Sequence, residues 1–425
     1  MKILLIRPRP HKETIGLQSV MICEPLELMT LAAVLKKNNH NVEIIDMIIE
    51  KRPLKNIVIE FAPDLVGITG YISHIQVMKD YARKIKELNP NIRVLVGGVH
   101  AEVCPEDFAD KNIDKICSSA QDLYSYVGCQ DTTPLPPFRM LPEKYRKRYY
   151  YLFHQNCALI KTSFGCPYSC TFCFCKEISP YSARDIDSVI AELQQIEQEQ
   201  VYIVDDDFLF NRERLMEFAA KLQQLNIKKK FLVYGRADFI ARNEDIIELL
   251  KEVGLQAVIV GLEASNQEEL DSYNKRTKIE DNNNAVRILK KHDIECYATV
   301  ILGIDWDKSD FEKLYQFLNN LDIVFVNLQP FTPMPRTPYF AENKDKLLIP
   351  YEESEKWDMA HLVIKPGKLS VRAFYAQIIK LYYRITITPK HSIYMIRKYG
   401  FKVTFNLSIG ALKVTLQYIK KMIRG

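Results

Sequence analysis

Short apolar runs alternate with amphipathic helical patterns along most of this chain, and no other feature restricts its fold as strongly. In the first 130 residues the apolar runs are Ile3–Ile6, Val42–Ile45, Leu65–Ile68, Val94–Val96 and Ile113–Ile116, and the helical patterns are Leu26–Lys37, Leu54–Phe61 and Ile75–Leu88. Strands that alternate with helices pair in parallel, because each helix crosses back over the sheet before the next strand begins. The sequence therefore predicts an α/β protein that begins, over residues 1–130, with a Rossmann-like doubly wound parallel sheet.

A second series of the same kind follows. Its apolar runs are Val201–Val204, Phe231–Tyr234, Ala257–Val260, Cys296–Leu302 and Ile323–Gln329, and its helical patterns are Ile186–Gln195, Arg212–Leu225, Glu244–Val253, Glu280–His292 and Asp310–Leu321. This predicts a full or partial parallel β/α barrel over residues 152–340, with its chemistry at the carboxyl ends of the strands. Residues 131–151, which contain Pro134, Pro136 and Pro137, predict an extended linker with a solvated face. Residues 341–425 predict a mainly helical C-terminal extension.

Charge is distributed unevenly over the 425 residues. No Asp or Glu follows Asp358, whereas 13 Lys and Arg residues do, and the part up to Asp358 holds 45 basic and 53 acidic residues. Near the C-terminus one apolar helix face is flanked by basic residues; the face is Ile409, Leu412, Leu416, Ile419 and Ile423, and the basic residues are Lys413, Lys420, Lys421 and Arg424. A basic amphipathic helix of this kind predicts contact with an anionic membrane surface. The alternatives are a helix docked on the protein's own acidic body and an RNA-binding patch, although no nucleic-acid module is recognisable and we expect no nucleic-acid partner.

The sequence contains no membrane-spanning pattern. No apolar stretch approaches the ~20 uninterrupted residues that a span requires, and the start of the chain turns polar too soon for a signal peptide. The 10 cysteines are scattered rather than arranged as a disulfide framework, which is typical of a reducing cytosol. We therefore expect a cytoplasmic protein with peripheral contact at the inner membrane surface.

Three cysteines lie close together ahead of the second series of strands. Cys166, Cys170 and Cys173 are spaced x3 and then x2. Iron–sulfur clusters are normally held by four thiolates, so a set of three leaves one iron open to a small molecule. A zinc site that includes Cys175 or Cys157, a redox pair of Cys170 and Cys173, and chance clustering among 10 cysteines are the alternatives.

With the aromatic Phe172 just before its last cysteine, this motif resembles the signature of the radical S-adenosylmethionine (SAM) enzymes. The resemblance implies that Cys166, Cys170 and Cys173 hold a [4Fe-4S] cluster and that SAM chelates the fourth iron. Reduction of the cluster then cleaves the sulfonium to give a 5′-deoxyadenosyl radical. The resemblance also implies an electron donor such as flavodoxin or ferredoxin.

The first 130 residues resemble the cobalamin-binding domain that precedes the radical domain in one large branch of this family. In that branch Gly97, Gly98 and His100, which follow the fourth predicted strand, would contact cobalamin. Two features depart from the pattern. The loop that supplies a histidine to cobalt is absent at Arg9–His11, and Ser118–Gln121 replaces the usual glycine and acid after the fifth strand. We expect cobalamin without a histidine from that loop below the cobalt; the alternative is a degenerate Rossmann domain that only packs against its neighbour.

Five candidate SAM-binding residues follow the strands of the predicted barrel: Asp205, Asp206, Arg236, Glu263 and Gly303. By resemblance, the Asp205–Asp206 pair stands where many members carry Gly-Gly-Glu for the methionyl amino group. Arg236 would pair with a carboxylate. Glu263 would contact the ribose, and Gly303 would let the adenine lie close to the backbone. Each residue alone is weak evidence, but their regular placement after successive strands supports the resemblance.

The C-terminal extension resembles that of hopanoid methylases and of the anaerobic ring cyclase of chlorophyll synthesis. His361 and Tyr375 lie in this extension and would either reach the active site or pack in the core. Together the motifs predict a cobalamin-dependent radical SAM enzyme that methylates an unactivated carbon of a lipid or other small molecule. The alternatives are a radical SAM enzyme that catalyses cyclisation or rearrangement without methyl transfer, and a non-catalytic metal- or cobalamin-binding module.

Overall fold

The structure, a computed structural model, describes residues 1–424, without the side chains of residues 176, 177 and 424. It contains two compact units. Unit 1 comprises residues 1–18, 22–149 and 350–358, and unit 2 comprises residues 19–21, 150–349 and the chain from residue 359 onward. Within residues 1–424, none of the helices combines the length and apolar character needed to cross a bilayer.

Unit 1 is built on a five-stranded parallel sheet. The first six strands of the chain are β1 (Lys2–Arg7), β2 (Met21–Ile22), β3 (Asn41–Asp46), β4 (Leu65–Thr69), β5 (Arg93–Gly97) and β6 (Lys115–Ile116). The sheet order is β3-β1-β4-β5-β6, so the strand order reverses between β1 and β4. The central strands are almost entirely buried, because helices cover both faces of such a sheet.

The helices of unit 1 are α1 (Leu26–Lys37), α2 (Leu54–Phe61), α3 (Ile75–Leu88), α4 (Val99–Val103), α5 (Ala120–Val127) and α6 (Glu143–Arg146), with 3₁₀ turns at Ile72–His74, Pro105–Phe108 and Ser354–Lys356. The bounds of α1, α2 and α3 agree with those predicted from apolar spacing. The solvated face that we predict for residues 131–151 is wrong for two of its tyrosines. Tyr145 and Tyr149 are buried, and their hydroxyls donate to Glu50 Oε2 (2.7 Å) and Asp46 Oδ2 (3.2 Å). A tyrosine that reaches a buried acid is stable in the interior even within a basic segment.

Unit 2 contains a six-stranded parallel sheet. Its strands and short hairpins are β7 (Tyr150–Tyr151), β8 (His154–Gln155), β9 (Ala158–Ile160), β10 (Ser163–Phe164), β11 (Ser182–Ala183), β12 (Gln200–Ile203), β13 (Lys230–Gly235), β14 (Leu255–Glu263), β15 (Glu295–Leu302) and β16 (Phe325–Pro330). The sheet order is β16-β15-β14-β13-β12-β9, which is the sequential order of a partial β/α barrel. The five predicted strands are present, and β9 adds a sixth at the edge next to the cysteines.

The helices of unit 2 are α7 (Cys175–Ile178), α8 (Ile186–Gln195), α9 (Arg212–Gln224), α10 (Ala237–Arg242), α11 (Glu244–Glu252), α12 (Gln267–Ser272), α13 (Ile279–Lys291), α14 (Lys308–Asn320), α15 (Pro338–Asn343), α16 (Val371–Thr386), α17 (Pro389–Tyr399) and α18 (Phe401–Arg424), with a 3₁₀ turn at Lys344–Lys346. Side-chain N-caps at Asn211, Asn266 and Asp307 start helices that follow β12, β14 and β15. Each cap accepts a hydrogen bond from a free backbone N–H of the first turn. The loops at the carboxyl ends of the strands are thereby fixed in length.

The basic C-terminal extension docks on the barrel through ion pairs. The guanidinium of Arg384 on α16 bonds Glu312 on α14, with Nη2 to Oε1 at 2.9 Å. Lys398 on α17 pairs with Asp293 (2.7 Å) and Glu295 (2.6 Å). Helices α16 and α17 are therefore docked on the barrel by their basic side chains. His361 and Tyr375 are buried in unit 2, as expected for packed residues.

Candidate active site at the carboxyl end of the barrel

The loop between β10 and α7 holds the three cysteines. Cys166, Cys170 and Cys173 are partly buried, and no disulfide involves them. Burial raises the pKa of the Cys166 thiol to about 11, and the charge of Cys173 adds to the increase. A hydrogen bond with the Cys175 thiol lowers the pKa of Cys173 to about 7. The thiols are therefore close enough to influence one another's ionisation.

This cysteine loop is anchored to the segment after α12. The backbone N–H of Thr171 donates to Tyr273 O (3.1 Å), and Asn274 Nδ2 donates to Ser169 O (2.9 Å). The ring of Phe172 meets Tyr273 edge to face, with centroids 5.5 Å apart. The aromatic residue of the motif thus fixes the loop to the barrel.

The three thiols suit a cluster better than a single zinc ion. Among residues 1–424, the one group of three metal-ligating side chains with all donor atoms within 4.8 Å is His100, Cys104 and Asp107. The loop cysteines are not gathered that tightly, as one tetrahedral zinc requires. A cluster distributes its thiolates over several iron atoms.

Two buried cations, Arg236 and Lys275, lie beside the cysteine loop. Arg236 pairs with Asp238 (Nε to Oδ1, 3.0 Å), donates through Nη2 to Lys275 O (2.6 Å), and lies 3.8 Å from the centre of the Tyr168 ring. Both cations act to lower the pKa of Cys170, although burial outweighs them and raises it. Positive charge next to a thiol favours the thiolate that binds metal.

Glu263 ends β14 and neutralises Lys275. The Lys275 Nζ to Glu263 Oε1 distance is 2.8 Å, and both side chains are buried. Glu263 has a φ of +61°, and the pairing of β14 with β15 shifts register between Gly261 and Glu263. A non-glycine residue in the left-handed region costs energy and is often found at a functional position. The acid predicted to contact ribose is thus held in a strained and buried place.

The three consecutive acids after β12 have different roles. Asp205 is buried and accepts hydrogen bonds from Thr162 N (2.6 Å), Thr162 Oγ1 (2.5 Å) and Ser163 Oγ (2.7 Å), so it ties β12 to the segment after β9. Asp206 is partly exposed and lies 3.7 Å from the Cys175 thiol. It therefore faces the cysteine loop.

Asp207 is the residue that sequence reasoning missed. Its side chain is only 4% exposed and has no side-chain hydrogen-bond partner among residues 1–424. Burial raises its pKa to about 8, against the opposing charge of Arg236. A buried carboxyl group to which no other side chain donates a hydrogen bond is unusual. Its position as the third acid in a row after a barrel strand was the available signal.

Gly303 follows β15, as predicted. A Cβ at this position would clash with the indole nitrogen of Trp306, which is buried and donates to Glu269 Oε1 (2.5 Å). The packing of Trp306 is therefore sufficient to require glycine here. Contact between Gly303 and adenine stays a prediction.

In unit 1 the predicted cobalamin contacts lie at the carboxyl end of β5. Gly98 has a φ of +99°, and a Cβ there would come within 2.6 Å of Thr69 Oγ1. A Cβ on Gly97 would lie 3.4 Å from Cys117 O. Gly98 is thus needed for the close approach of this turn to the end of β4, next to the reversal of strand order where such sheets bind ligands.

His100 is buried on α4, and its Nε2 lies 2.7 Å from Asp107 Oδ2. The hydroxyl of Tyr351 donates to the same carboxylate (2.5 Å). Burial lowers the pKa of His100. These contacts account for a neutral, structural histidine, and its contact with cobalamin stays a prediction.

Comparison with known proteins identifies two families along the chain. Residues 13–122 match the B12 binding domain, and residues 160–318 match the Radical SAM superfamily. Hopanoid C-3 methylase of Methylococcus capsulatus is 24% identical over 89% of this chain and 79% of the relative. The anaerobic magnesium-protoporphyrin IX monomethyl ester cyclase of Cereibacter sphaeroides is 23% identical over 98% of this chain and 75% of the relative.

Two solved structures share the fold over the whole chain. The cobalamin-dependent S-adenosylmethionine radical enzyme OxsB, with aqua-cobalamin and S-adenosylmethionine bound, superposes with a TM-score of 0.66 at 14% identity, covering 100% of this chain and 80% of OxsB. The radical S-adenosylmethionine methyltransferase TsrM from Kitasatospora setae superposes with a TM-score of 0.65 at 16% identity, covering 100% of this chain and 98% of TsrM.

Proposed function

Because this chain belongs to the radical SAM enzymes that carry a B12-binding domain, we propose that it transfers a methyl group to an unactivated carbon of a lipid. The observation that carries the proposal is the cysteine loop beside the buried charges of Arg236, Lys275 and Glu263. A hopanoid methylase is among the relatives that match most of the chain, which supports a lipid as the substrate.

The residues that would hold each group follow from their positions. Cys166, Cys170 and Cys173 would hold the [4Fe-4S] cluster. Asp206, Arg236, Glu263 and Gly303 would line the SAM site, whereas Asp205 would act by positioning the loop after β9. Gly97, Gly98 and His100 would lie beside cobalamin. When bound, these three groups supply the electron, the radical and the methyl group of the reaction.

The chain's own contribution is charge and geometry. Lys275 and Arg236 place two buried positive charges next to the thiolates, which offsets the repulsion among three anions. Asp238 and Glu263 in turn neutralise these cations, so the site is close to balanced before any ligand enters. Since buried charges interact strongly, an incoming charged ligand would have to replace one of these partners.

The test combines metal content with product mass. The full chain, purified without oxygen from cobalamin-supplied cells, should contain about four irons and one cobalt. With a reduced flavodoxin or ferredoxin as electron donor, a hopanoid lipid and SAM labelled at its methyl group, the lipid should gain one labelled methyl. A Cys170→Ser variant is the matched control and should give no product.

A cyclisation enzyme is the second candidate, since the ester cyclase of Cereibacter sphaeroides matches 98% of this chain. A product that loses hydrogen without gaining the labelled methyl would favour this candidate. Iron without cobalt would exclude methyl transfer through cobalamin. Zinc in place of both iron and cobalt would indicate a non-catalytic binding module.

We further infer that the chain works at the cytoplasmic surface of a membrane, through its basic C-terminal segment. A lipid substrate resides in a bilayer, and 13 basic residues with no acid after Asp358 favour anionic lipid. If the full chain remains unbound to vesicles of phosphatidylglycerol in a flotation assay, this inference is wrong.

A further inference from the structure

Helix α18 exposes one continuous apolar stripe to solvent. The exposed members are Phe401, Phe405, Ile409, Leu412, Leu416 and Ile423. They recur at steps of three, four or seven residues along a 24-residue helix, so they share one face. Phe401 is 68% exposed, Leu416 55% and Ile423 66%. Contiguous large apolar side chains on a surface mark an interaction site.

The opposite face of α18 is packed, which shows that the stripe is not the result of an undocked helix. Tyr418 is buried, and its ring lies 5.9 Å from the ring of Tyr375 and 6.5 Å from that of Tyr382 on α16. A Cβ on Gly410 would clash with Ser19 O. The docked face therefore sets the direction in which the stripe points.

Three lysines of α18 differ from Arg384 on α16 and Lys398 on α17 in how their charge is satisfied. Lys402, Lys413 and Lys420 each follow a residue of the apolar face by one position, so they run along one edge of the stripe. All three are exposed, and none has an ion-pair partner among residues 1–424. By contrast, Lys398 and Arg384 are bound to barrel acids. The charges of these three lysines are thus left available to something outside the chain.

We propose that α18 lies in the headgroup region of an anionic bilayer, with the stripe inserted and the three lysines directed at lipid phosphates. Long lysine side chains beside an apolar face can reach the headgroups while the face is buried. This proposal names α18 as the part of the basic C-terminal segment that contacts the membrane. It rests on the proposed membrane contact but not on the proposed methyl transfer. Flotation and catalysis therefore fail independently.

The positive charge of α18 favours an anionic lipid surface, rather than a second copy of the chain, as the partner of the stripe. Two α18 helices packed face to face would bring six unpaired lysines together, and no acid follows Asp358 to neutralise them. Anionic headgroups neutralise each lysine directly. Each such contact raises the affinity of the chain for the bilayer roughly fivefold.

The experiment is flotation of the full chain with vesicles of phosphatidylcholine alone and of phosphatidylcholine mixed with phosphatidylglycerol. The wild type should float with the anionic vesicles. The double variant Leu412→Ser/Leu416→Ser should bind at least about tenfold more weakly. Lys413→Gln/Lys420→Gln should bind anionic vesicles about 25-fold more weakly, at roughly fivefold per lysine, and its binding should depend less on salt. Ile59→Ser is the matched control, since Ile59 is 60% exposed on α2, and it should float as the wild type does.

Three outcomes would overturn the proposal. The first is unchanged flotation of the Leu412→Ser/Leu416→Ser variant. The second is failure of the wild type to bind either vesicle. The third is a lipid-free dimer in analytical ultracentrifugation that the same double variant converts to monomer, which would make the stripe a self-association surface. Retained methyl transfer to detergent-dispersed substrate by the double variant would show that the site itself is intact.

Discussion

The two ends of the barrel in unit 2 differ in how their charged side chains are satisfied. At the carboxyl end, the carboxyl group of Asp207 is buried without a side-chain partner among residues 1–424. At the amino end, a cavity of about 300 Å³ is lined by paired charges, among them Lys398 with Asp293 and Glu295. Buried polar groups without partners and groups with a shifted pKa concentrate at functional sites. The carboxyl end is thus suited to chemistry, whereas the amino end contributes stability.

Helix α17 contributes much of the amino end. Tyr394 donates a hydrogen bond to Glu295, and the ring of Tyr399 stacks on Phe153 with centroids 3.6 Å apart. The C-terminal segment therefore closes the end of the barrel remote from the cysteines. The four substitutions below test this difference, from the largest expected effect to the smallest.

Cys170→Ser should abolish both the cluster and activity. Removing one of three thiolates leaves too few ligands, so we expect the iron content to fall from about four to below about one per chain. Iron analysis and the visible absorption of the anaerobically purified chain measure this. Cys296→Ser is the control, because Cys296 starts β15 at the other end of the barrel. A brown, active Cys170→Ser protein would contradict the assignment.

Glu263→Gln should destabilise unit 2 by roughly 3–5 kcal/mol, because it leaves the buried charge of Lys275 without a partner. Chemical denaturation of the cluster-free chain measures this loss. Glu263→Gln/Lys275→Met should regain most of the stability, since both charges are removed. Activity should remain lost in the double variant if the carboxylate contacts a ligand, and its return would show that the pair is only structural.

Asp207 should make the cluster-free chain less stable as pH rises. The folded state keeps this proton up to a pKa of about 8, whereas an unfolded Asp releases it near about pH 4. The folded state therefore binds the extra proton between these values, and stability falls as pH rises through that window. Asp207→Asn should remove this decline and raise the melting temperature at pH 8 by on the order of a few degrees. If the stability of the wild type and that of Asp207→Asn change with pH in the same way, this prediction is wrong.

Lys398→Met should cost about 1–2 kcal/mol and leave kcat unchanged, because the partly buried pair lies at the structural end. Thermal melting and steady-state kinetics measure the two effects. Lys147→Met is the matched control: Lys147 pairs with Glu143 at a fully exposed position, so no change in melting temperature is expected. A fall in kcat with unchanged stability would mean that the two ends are coupled.

The local spacing of apolar residues was sufficient to predict much of the fold. The α/β class, the order of strands, and the bounds of α1, α2 and α3 followed from apolar spacing, because each buried face must recur at the period of its own element. The resemblance of the cysteine motif implied the radical SAM family with its cluster and SAM, and the resemblance of the first 130 residues implied cobalamin; the family matches confirm these predictions. The site residues and the four domain limits stay predictions.

What the sequence determined by itself is therefore the set of elements and the cysteine motif, since both are encoded over short distances. Only the tertiary structure decided which of three adjacent acids is satisfied: Asp205 accepts hydrogen bonds from Thr162 and Ser163, whereas Asp207 has no side-chain partner in the part of the chain that the structure describes. It also decided that both lysines of α17 are paired with acids of the barrel, whereas Lys402, Lys413 and Lys420 of α18 have no ion-pair partner among the described residues. A charge pattern shows that a helix has a polar face, but its partner lies on another element, and only folding brings the two together.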